Sequence, residues 1–441
     1  MTFHVFWHSV WHLILGYIFY YPLFMSTLWI FGAIFFYFKN EKRYLKDKIP
    51  TLRPKERWEG ASILIPCYNE GPNVRETIHH ALNVDYPEFE VIAINDGSKD
   101  DTLEILLELA RENPKLKVVN LAENQGKALG LQAGALVAKY EYLICIDGDA
   151  LIDPYCVHWM VKHFVRYPEV AAVTGNPRIR NRTSLLGKIQ VGEFSSIVGM
   201  IKRAQRSFGR LFTVSGVITG FRKSAVHEIG YWSPDMLTED IDVTWKLQRN
   251  GWDVRFEPRA LVWILMPETL KGLWKQRLRW AMGGAQVMLK NVKILFHPLQ
   301  THLWGLMIEL LMSLVWSYSM VLVFAVWLLD TVFNLPLLTL SDSPVLPNES
   351  SVILIGACLI QFWISKWLDG HYDQGLGKNY FWMIWYPFAF WFLNLFTSVA
   401  ALPKVIFAKQ KRARWVSPDR GVHQQLPKKK SVSSAGDTPK E

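Results

Sequence analysis

The sequence predicts an α/β domain with a Rossmann-like, largely parallel sheet, carried on an α-helical transmembrane bundle. Two observations predict it. Between residues 59 and 267, short β-branched runs alternate with helical stretches and polar turns, the pattern of a βαβ series. Outside that region the apolar residues gather into charge-free runs: Val5 to Phe38 holds 34 residues without Asp, Glu, Lys or Arg, and comparable stretches return only after residue 300. Such runs can cross about 30 Å of hydrocarbon. At 441 residues, half of them hydrophobic, the chain has room for both parts.

Residues 1–38 form the N-terminal membrane segment. As one helix Val5–Phe38 would be about 51 Å long, more than one crossing needs, so Pro22 is the expected break: Pro22 to Phe38 spans, and the earlier residues lie near the outer interface. No basic n-region or small-residue cleavage site is present, which suits a retained anchor. A basic juxtamembrane linker follows at 39–58. In the domain over 59–267 the expected strands are 62–66, 89–95, 116–120, 141–147 and 169–175, with polar residues at their carboxyl ends, where open α/β sheets bind ligands. Ser98 with Asp101 reads as a capping box opening the helix after the second strand. Residues 268–300, rich in Lys, Arg and Trp, suit amphipathic helices on the membrane surface. Spans are expected near 304–329, 351–368 and 379–403 within a helical region over 301–408, then a basic, disordered tail over 409–441.

Topology carries a conflict. Three full crossings after the domain would leave the tail opposite it, whereas the positive-inside rule places both together. Pro387 and Pro403 interrupt the last segment, so one resolution has Tyr380 to Phe388 lying at the interface or re-entering. The net charge of +10 sits in two places, residues 39–59 with eight basic against four acidic side chains and 404–441 with ten against three. Charge flanking apolar spans argues for anionic lipid and against nucleic acid. Cys67, Cys145, Cys156 and Cys358 show neither zinc nor disulfide spacing and read as reduced, cytosol-facing thiols.

Three motifs occur in order: Asp147-Gly148-Asp149, Thr238-Glu239-Asp240 and Gln276 to Trp280, QRLRW. Each alone is weak, since acidic triplets also make turns and helix starts, but their order beside membrane spans suggests an enzyme that builds polysaccharide from a nucleotide sugar. A diphosphate leaving group needs its charge neutralised, usually by Mg²⁺ (or Mn²⁺) held by one or two carboxylates and the phosphate oxygens. Asp149 is the expected metal ligand and Asp147 lies on the sugar or nucleotide side. Asp96 ends another strand and is placed on the uridine or ribose; Tyr68 suits stacking on the base, Glu70 accepting from ribose or uracil, and Lys127 adding positive charge near the donor. Asp240 is the expected general base, taking the acceptor hydroxyl's proton with Glu239 on the acceptor side. One base and one attack face imply inversion. Arg277 or Arg279 suits the diphosphate, Gln276 sugar hydroxyls or pyrophosphate, and Trp280 the face of a pyranose.

With Asp96 placed before these motifs, the chain resembles the processive family 2 glycosyltransferases over nearly its whole length. The longer strings VTGNPRIRNRTSLLGKIQVGE, WILMPETLKGLWKQRLRW and RARWVSPDRG resemble, more narrowly, the bacterial synthases of poly-β-1,6-N-acetyl-D-glucosamine in biofilm matrix. The resemblance implies a GT-A domain facing the cytoplasm of a cell inner membrane, UDP-N-acetylglucosamine as donor, and export of the growing poly-GlcNAc chain through the same protein's helices. It further implies a small two-span membrane subunit and, in Gram-negative members, cyclic di-GMP at the subunit contact, for which no residues are assigned: Arg206 and Arg210 lack the companions of a familiar motif. A chitin-like or hyaluronan-like synthase shares the same motifs. A transporter or sensor with a degenerate transferase domain is the reading from another class, and intact Asp96, Asp149 and Asp240 weigh against it.

Overall fold

The computed structural model describes residues 2–333, 349–407 and 412–414. Helix α1 (Thr2–Phe36) leads to the domain, whose elements are β1 (Ala61–Cys67), α2 (Gly71–Leu82), β2 (Phe89–Asp96), α3 (Thr102–Glu112), β3 (Leu116–Leu121), α4 (Lys127–Val137), β4 (Tyr142–Ile146), β5 (Leu151–Ile152), α5 (Cys156–Arg166), β6 (Val170–Ile179), α6 (Leu185–Phe194), α7 (Ile201–Phe208), β7 (Ile218–Arg222), α8 (Lys223–Glu228), α9 (Glu239–Arg249) and β8 (Asp253–Ile264). Then come α10 (Leu270–Asn291), α11 (Trp304–Phe333), α12 (Glu349–Asp369), α13 (Leu376–Asn379) and α14 (Tyr386–Phe407).

The sheet order is 3-2-1-4-7-6-8-5. Its first half, built from four of the five expected strands, is parallel throughout. Beyond β4 it is mixed, with β7 antiparallel to both β4 and β6, β8 parallel to β6 and β5 antiparallel to β8. Strands β1, β2, β4 and β6 are buried along their whole length, as continuous β-branched runs covered on both faces should be. The strand order reverses between β1 and β4, so a crevice opens at their carboxyl ends.

Two local expectations fail. Ser98 does not cap α3: its hydroxyl accepts from Asn69 N–H (3.0 Å), and Asp100 instead receives the Thr102 N–H (3.1 Å). Pro22 does not break α1, which runs unbroken for 35 residues. A proline removes the hydrogen bond to the carbonyl four residues back, here that of Ile18, and the Trp316 indole N–H of α11 takes that place at 3.0 Å.

Among the described residues, four segments are long and apolar enough to cross a membrane: 9–44, 298–333, 349–369 and 390–407. The domain is tied to the ends of α1 and α12 nearest it by a buried ion network. Arg203 meets Glu41 (2.6 Å) and Asp369 (2.8 Å), Arg178 meets the other Asp369 oxygen (2.6 Å), and Arg182 meets Asp373 (2.6 Å). Helix α1 crosses α7 closely at Gly32, where a Cβ would lie 2.8 Å from Phe208 Cε2 and 2.9 Å from the Ala204 Cα. Two anchors bear on the topological conflict. Asp369 and Asp373 pair with domain arginines, and Ala413 N–H donates to Pro234 O at 2.9 Å, also in the domain. Between these anchors the chain forms a 3₁₀ turn, Tyr380–Trp385, and α14. The tail therefore starts on the domain's side; apart from 412–414 it lies outside the described residues.

Candidate active site

Asp147, Gly148 and Asp149 follow β4 directly across from the end of β1. The glycine between the aspartates lets the turn pack closely, since a Cβ at 148 would sit 3.0 Å from Glu70 Cγ and 3.1 Å from Pro66 O. Glu70 is fully buried, and its carboxylate accepts from Asn73 Nδ2 (3.4 Å); it packs beneath the aspartate turn, while Tyr68 beside it is half-buried. Asp149 is 6 % exposed. Asp147 accepts from Lys127 Nζ at 2.5 Å. Lys127 opens α4 and also donates to Gly216 O (2.9 Å) with Glu239 Oε1 at 3.3 Å. Burial works against its charge, but Asp147 and Glu239 outweigh that and hold the ammonium above its ordinary range.

Asp240 lies in the first turn of α9, and its Oδ2 accepts the Gly216 N–H at 3.0 Å. Burial first, then Glu239, push its carboxyl up to about 6, against Lys127, Arg279 and the Ile241 N–H. A carboxylate poised there suits a base working near neutrality. Gly216 thus joins the two acidic motifs, its N–H on Asp240 and its carbonyl on Lys127. A Cβ at 216 would lie 3.0 Å from Asp240 Oδ2 and 3.3 Å from Lys127 Nζ. No sequence motif pointed to it.

Asp96 has no exposed surface. Its oxygens accept from Gln125 N (2.7 Å) and Gly126 N (2.9 Å), so it shapes the turn that presents Lys127. Burial raises its carboxyl, and those two N–H groups and Arg412 oppose the rise. Gly126 has φ +89°, and a Cβ there would meet Ala413 O at 2.2 Å. Residues 412–414 therefore lie across the rim of the crevice, a contact that sequence reasoning did not foresee.

QRLRW occupies α10, which docks on the Thr238-Glu239-Asp240 turn. A Cβ on Gly283 would overlap Thr238 Oγ1 at 1.9 Å, and Gln286 Oε1 accepts the Leu237 N–H at 3.0 Å. The motif's arginines separate. Arg279 is exposed, donates to Leu237 O (3.3 Å) and faces the Asp240 charge. Arg277 is instead buried in an ion pair with Glu193 (2.5 Å) and stacks 4.3 Å from the Trp280 ring, so it braces Trp280 while Arg279 stays exposed beside Asp240. Gln276 Nε2 lies 3.9 Å from Met266 Sδ, and its Oε1 is buried without a partner among the described residues.

Among the described residues no three His, Cys, Asp or Glu side chains gather into a metal cage. A single buried carboxylate at a strand end fits the other arrangement, in which the diphosphate supplies the remaining oxygens.

Acidic groups at the reversal point of an α/β sheet, joined to an acidic helix start and a basic interfacial helix, define a glycosyl-transfer site. The family model described as "Glycosyltransferase like family 2" matches residues 59–283, and the chain belongs to that family. It is 41 % identical over 409 residues to the "Poly-beta-1,6-N-acetyl-D-glucosamine synthase" of Staphylococcus epidermidis, covering 92 % of this chain and 98 % of the relative. The protein of the same description from Staphylococcus aureus strain COL is 40 % identical over 407 residues, with the same coverage. Among solved structures, a mannosyltransferase from Pyrobaculum calidifontis in complex with GDP-Man and Mn²⁺ shares the fold with a TM-score of 0.55 at 19 % identity, over 88 % of this chain and 98 % of that one.

Proposed function

We propose that this glycosyltransferase polymerises N-acetylglucosamine from UDP-N-acetylglucosamine into a β-1,6-linked chain, processively and with inversion, and passes it across the bacterial inner membrane, with the domain on the cytoplasmic side. The observation that carries the mechanism is the string Asp240–Gly216–Lys127–Asp147, which joins a base to a donor pocket; the staphylococcal relatives support donor and product. Asp240 takes the acceptor hydroxyl's proton as that oxygen attacks the anomeric carbon. Lys127 and Arg279 balance the charge of the departing diphosphate. Asp149 would hold Mg²⁺ or Mn²⁺, which when bound neutralises the leaving group. Asp147 orients Lys127 and sugar hydroxyls, Tyr68 the base, and Asp96 and Glu70 hold the loops that line the nucleotide's place. Trp280, braced by Arg277 and flanked by Gln276, receives the acceptor ring.

The test gives membranes radiolabelled UDP-N-acetylglucosamine and Mg²⁺, with and without a small two-span subunit and cyclic di-GMP, and digests the product. Long product cut by a β-1,6-specific hexosaminidase alone is expected. Product cut only by chitinase would overturn the linkage, and no incorporation under any condition would overturn the donor.

A further inference from the structure

Lys202 is 5 % exposed and forms no ion pair among the described residues. Its Nζ donates to the Thr174 hydroxyl at 3.1 Å, and the carboxylate whose charge it feels is Asp240. Burial pushes the Lys202 amine down to about 7 against the pull of Asp240, and an amine held there, charged or neutral, still donates to the Thr174 hydroxyl; so costly a burial is expected to serve a purpose. The Thr174 oxygen also accepts the Ser215 N–H at 2.8 Å. From there the turn is fully held: Ser215 O accepts from Ile218 N (3.0 Å) and Thr219 Oγ1 (2.8 Å), and the next N–H, that of Gly216, reaches Asp240.

We propose that Lys202 is a positioning residue for the general base, acting through the Thr174 hydroxyl on the Ser215–Gly216 turn. The inference rests on the reading of Asp240 as that base. Lys202 lies in α7, just after a π-helical stretch, Ser195–Met200. Its neighbour Arg203 points the other way, into the ion network with Glu41 and Asp369. Two successive side chains of α7 thus connect the ends of the membrane helices nearest the domain with the turn that aims the base. Replacing the lysine by an apolar chain leaves Thr174 with one donor fewer and frees the Gly216 N–H to drift from Asp240. Displacement of a reacting group by a fraction of an ångström to about 1 Å lowers turnover up to about a hundredfold.

The experiment uses the full chain in membranes and compares Lys202→Met, Thr174→Val, Thr174→Ser and the Lys202→Met/Thr174→Val double variant. Turnover number, KM for UDP-N-acetylglucosamine, UDP affinity and melting temperature are read for each. Lys202→Met and Thr174→Val are each expected to lower kcat about ten- to a hundredfold with donor KM and UDP affinity unchanged. The double variant should match the worse single one, because both cut the same link, and Thr174→Ser, which keeps the hydroxyl, should retain turnover. Should Lys202→Met fail to fold, the Val and Ser variants at 174 decide alone. Losses that multiply in the double variant, or a folded Lys202→Met with wild-type kcat, would overturn the role. Asp240→Asn run alongside separates the two readings: if it keeps turnover, the base assignment falls and this proposal with it, whereas an inactive Asp240→Asn beside an unimpaired Lys202→Met removes the positioning role alone.

Discussion

Replacing Asp240 by Asn should abolish synthesis and yet make the protein more stable at neutral and alkaline pH. The carboxyl has a pKa of about 6 folded against 3.8 unperturbed. Folding therefore takes up a proton between those values, and the site loses stability as pH rises through that window. Above pH 6 the full penalty is present, of order 3 kcal/mol; below about pH 4 the carboxyl is protonated in both states and the penalty vanishes. The carboxamide keeps one oxygen for the Gly216 N–H and gives up the Ile241 contact, a loss of about 1 kcal/mol. The net gain at pH 8 is then about 1–2 kcal/mol. Thermal unfolding at pH 8 and pH 4.5, followed by tryptophan fluorescence, should show the variant melting above wild type at the higher pH, with the gap closing at the lower. In parallel, sugar incorporation should fall about a hundredfold or more while UDP binding persists. A variant that melts below wild type by the same margin at both pH values would refute the account, because the carboxylate would then be contributing stability.

Lys127→Met removes a cation that lowers the Asp240 pKa, so the acid limb of the pH–rate profile should move to higher pH, and a limb that stays in place or moves down would contradict the pairing. Breaking the Arg277–Glu193 pair with Glu193→Gln strands a buried guanidinium and should cost about 3–5 kcal/mol of stability, whereas exposed Arg279→Ala should change melting little and act on turnover. Trp316→Phe leaves the Ile18 carbonyl without its donor and is expected to lower stability by about 1–3 kcal/mol, read by melting in lipid nanodiscs. Gly126→Ala combines a positive φ with a collision at Ala413 O and should raise donor KM several-fold; an unchanged KM would mean that 412–414 do not bear on the donor.

Periodicity was enough to find β1, β2, β4 and β6, which are buried along their whole length and rich in β-branched and apolar residues, and β3, whose Leu-Lys-Val-Val core stands between polar turns although part of it is exposed. Strand β8 escaped it: Arg255, Glu257 and Arg259 interrupt its apolar residues, and the main partner of Glu257, Lys162, lies far along the chain. The short β7 gives too little length for a pattern. In the site, Asp147, Asp149, Asp240 and QRLRW announced themselves by residue type and order. Gly216, Thr174 and Lys202 did not, since their parts depend on backbone atoms and contacts across long stretches of chain. The separate duties of Arg277 and Arg279 follow from two positions on α10 facing different neighbours, one buried and one exposed. Pro22 misled because the compensating donor, Trp316, lies far along the chain.

The ion network that joins Glu41, Arg203, Asp369 and Arg178 has a mechanical meaning. A head riveted to two membrane helices by buried charges cannot swivel or ride up and down by the length of a sugar without stranding those charges in a poor dielectric. If each cycle lengthens a chain by one residue, the advance must then be made by the glycan sliding against a stationary frame. The enzyme is in that sense a fixed die, and the polymer is the part that moves.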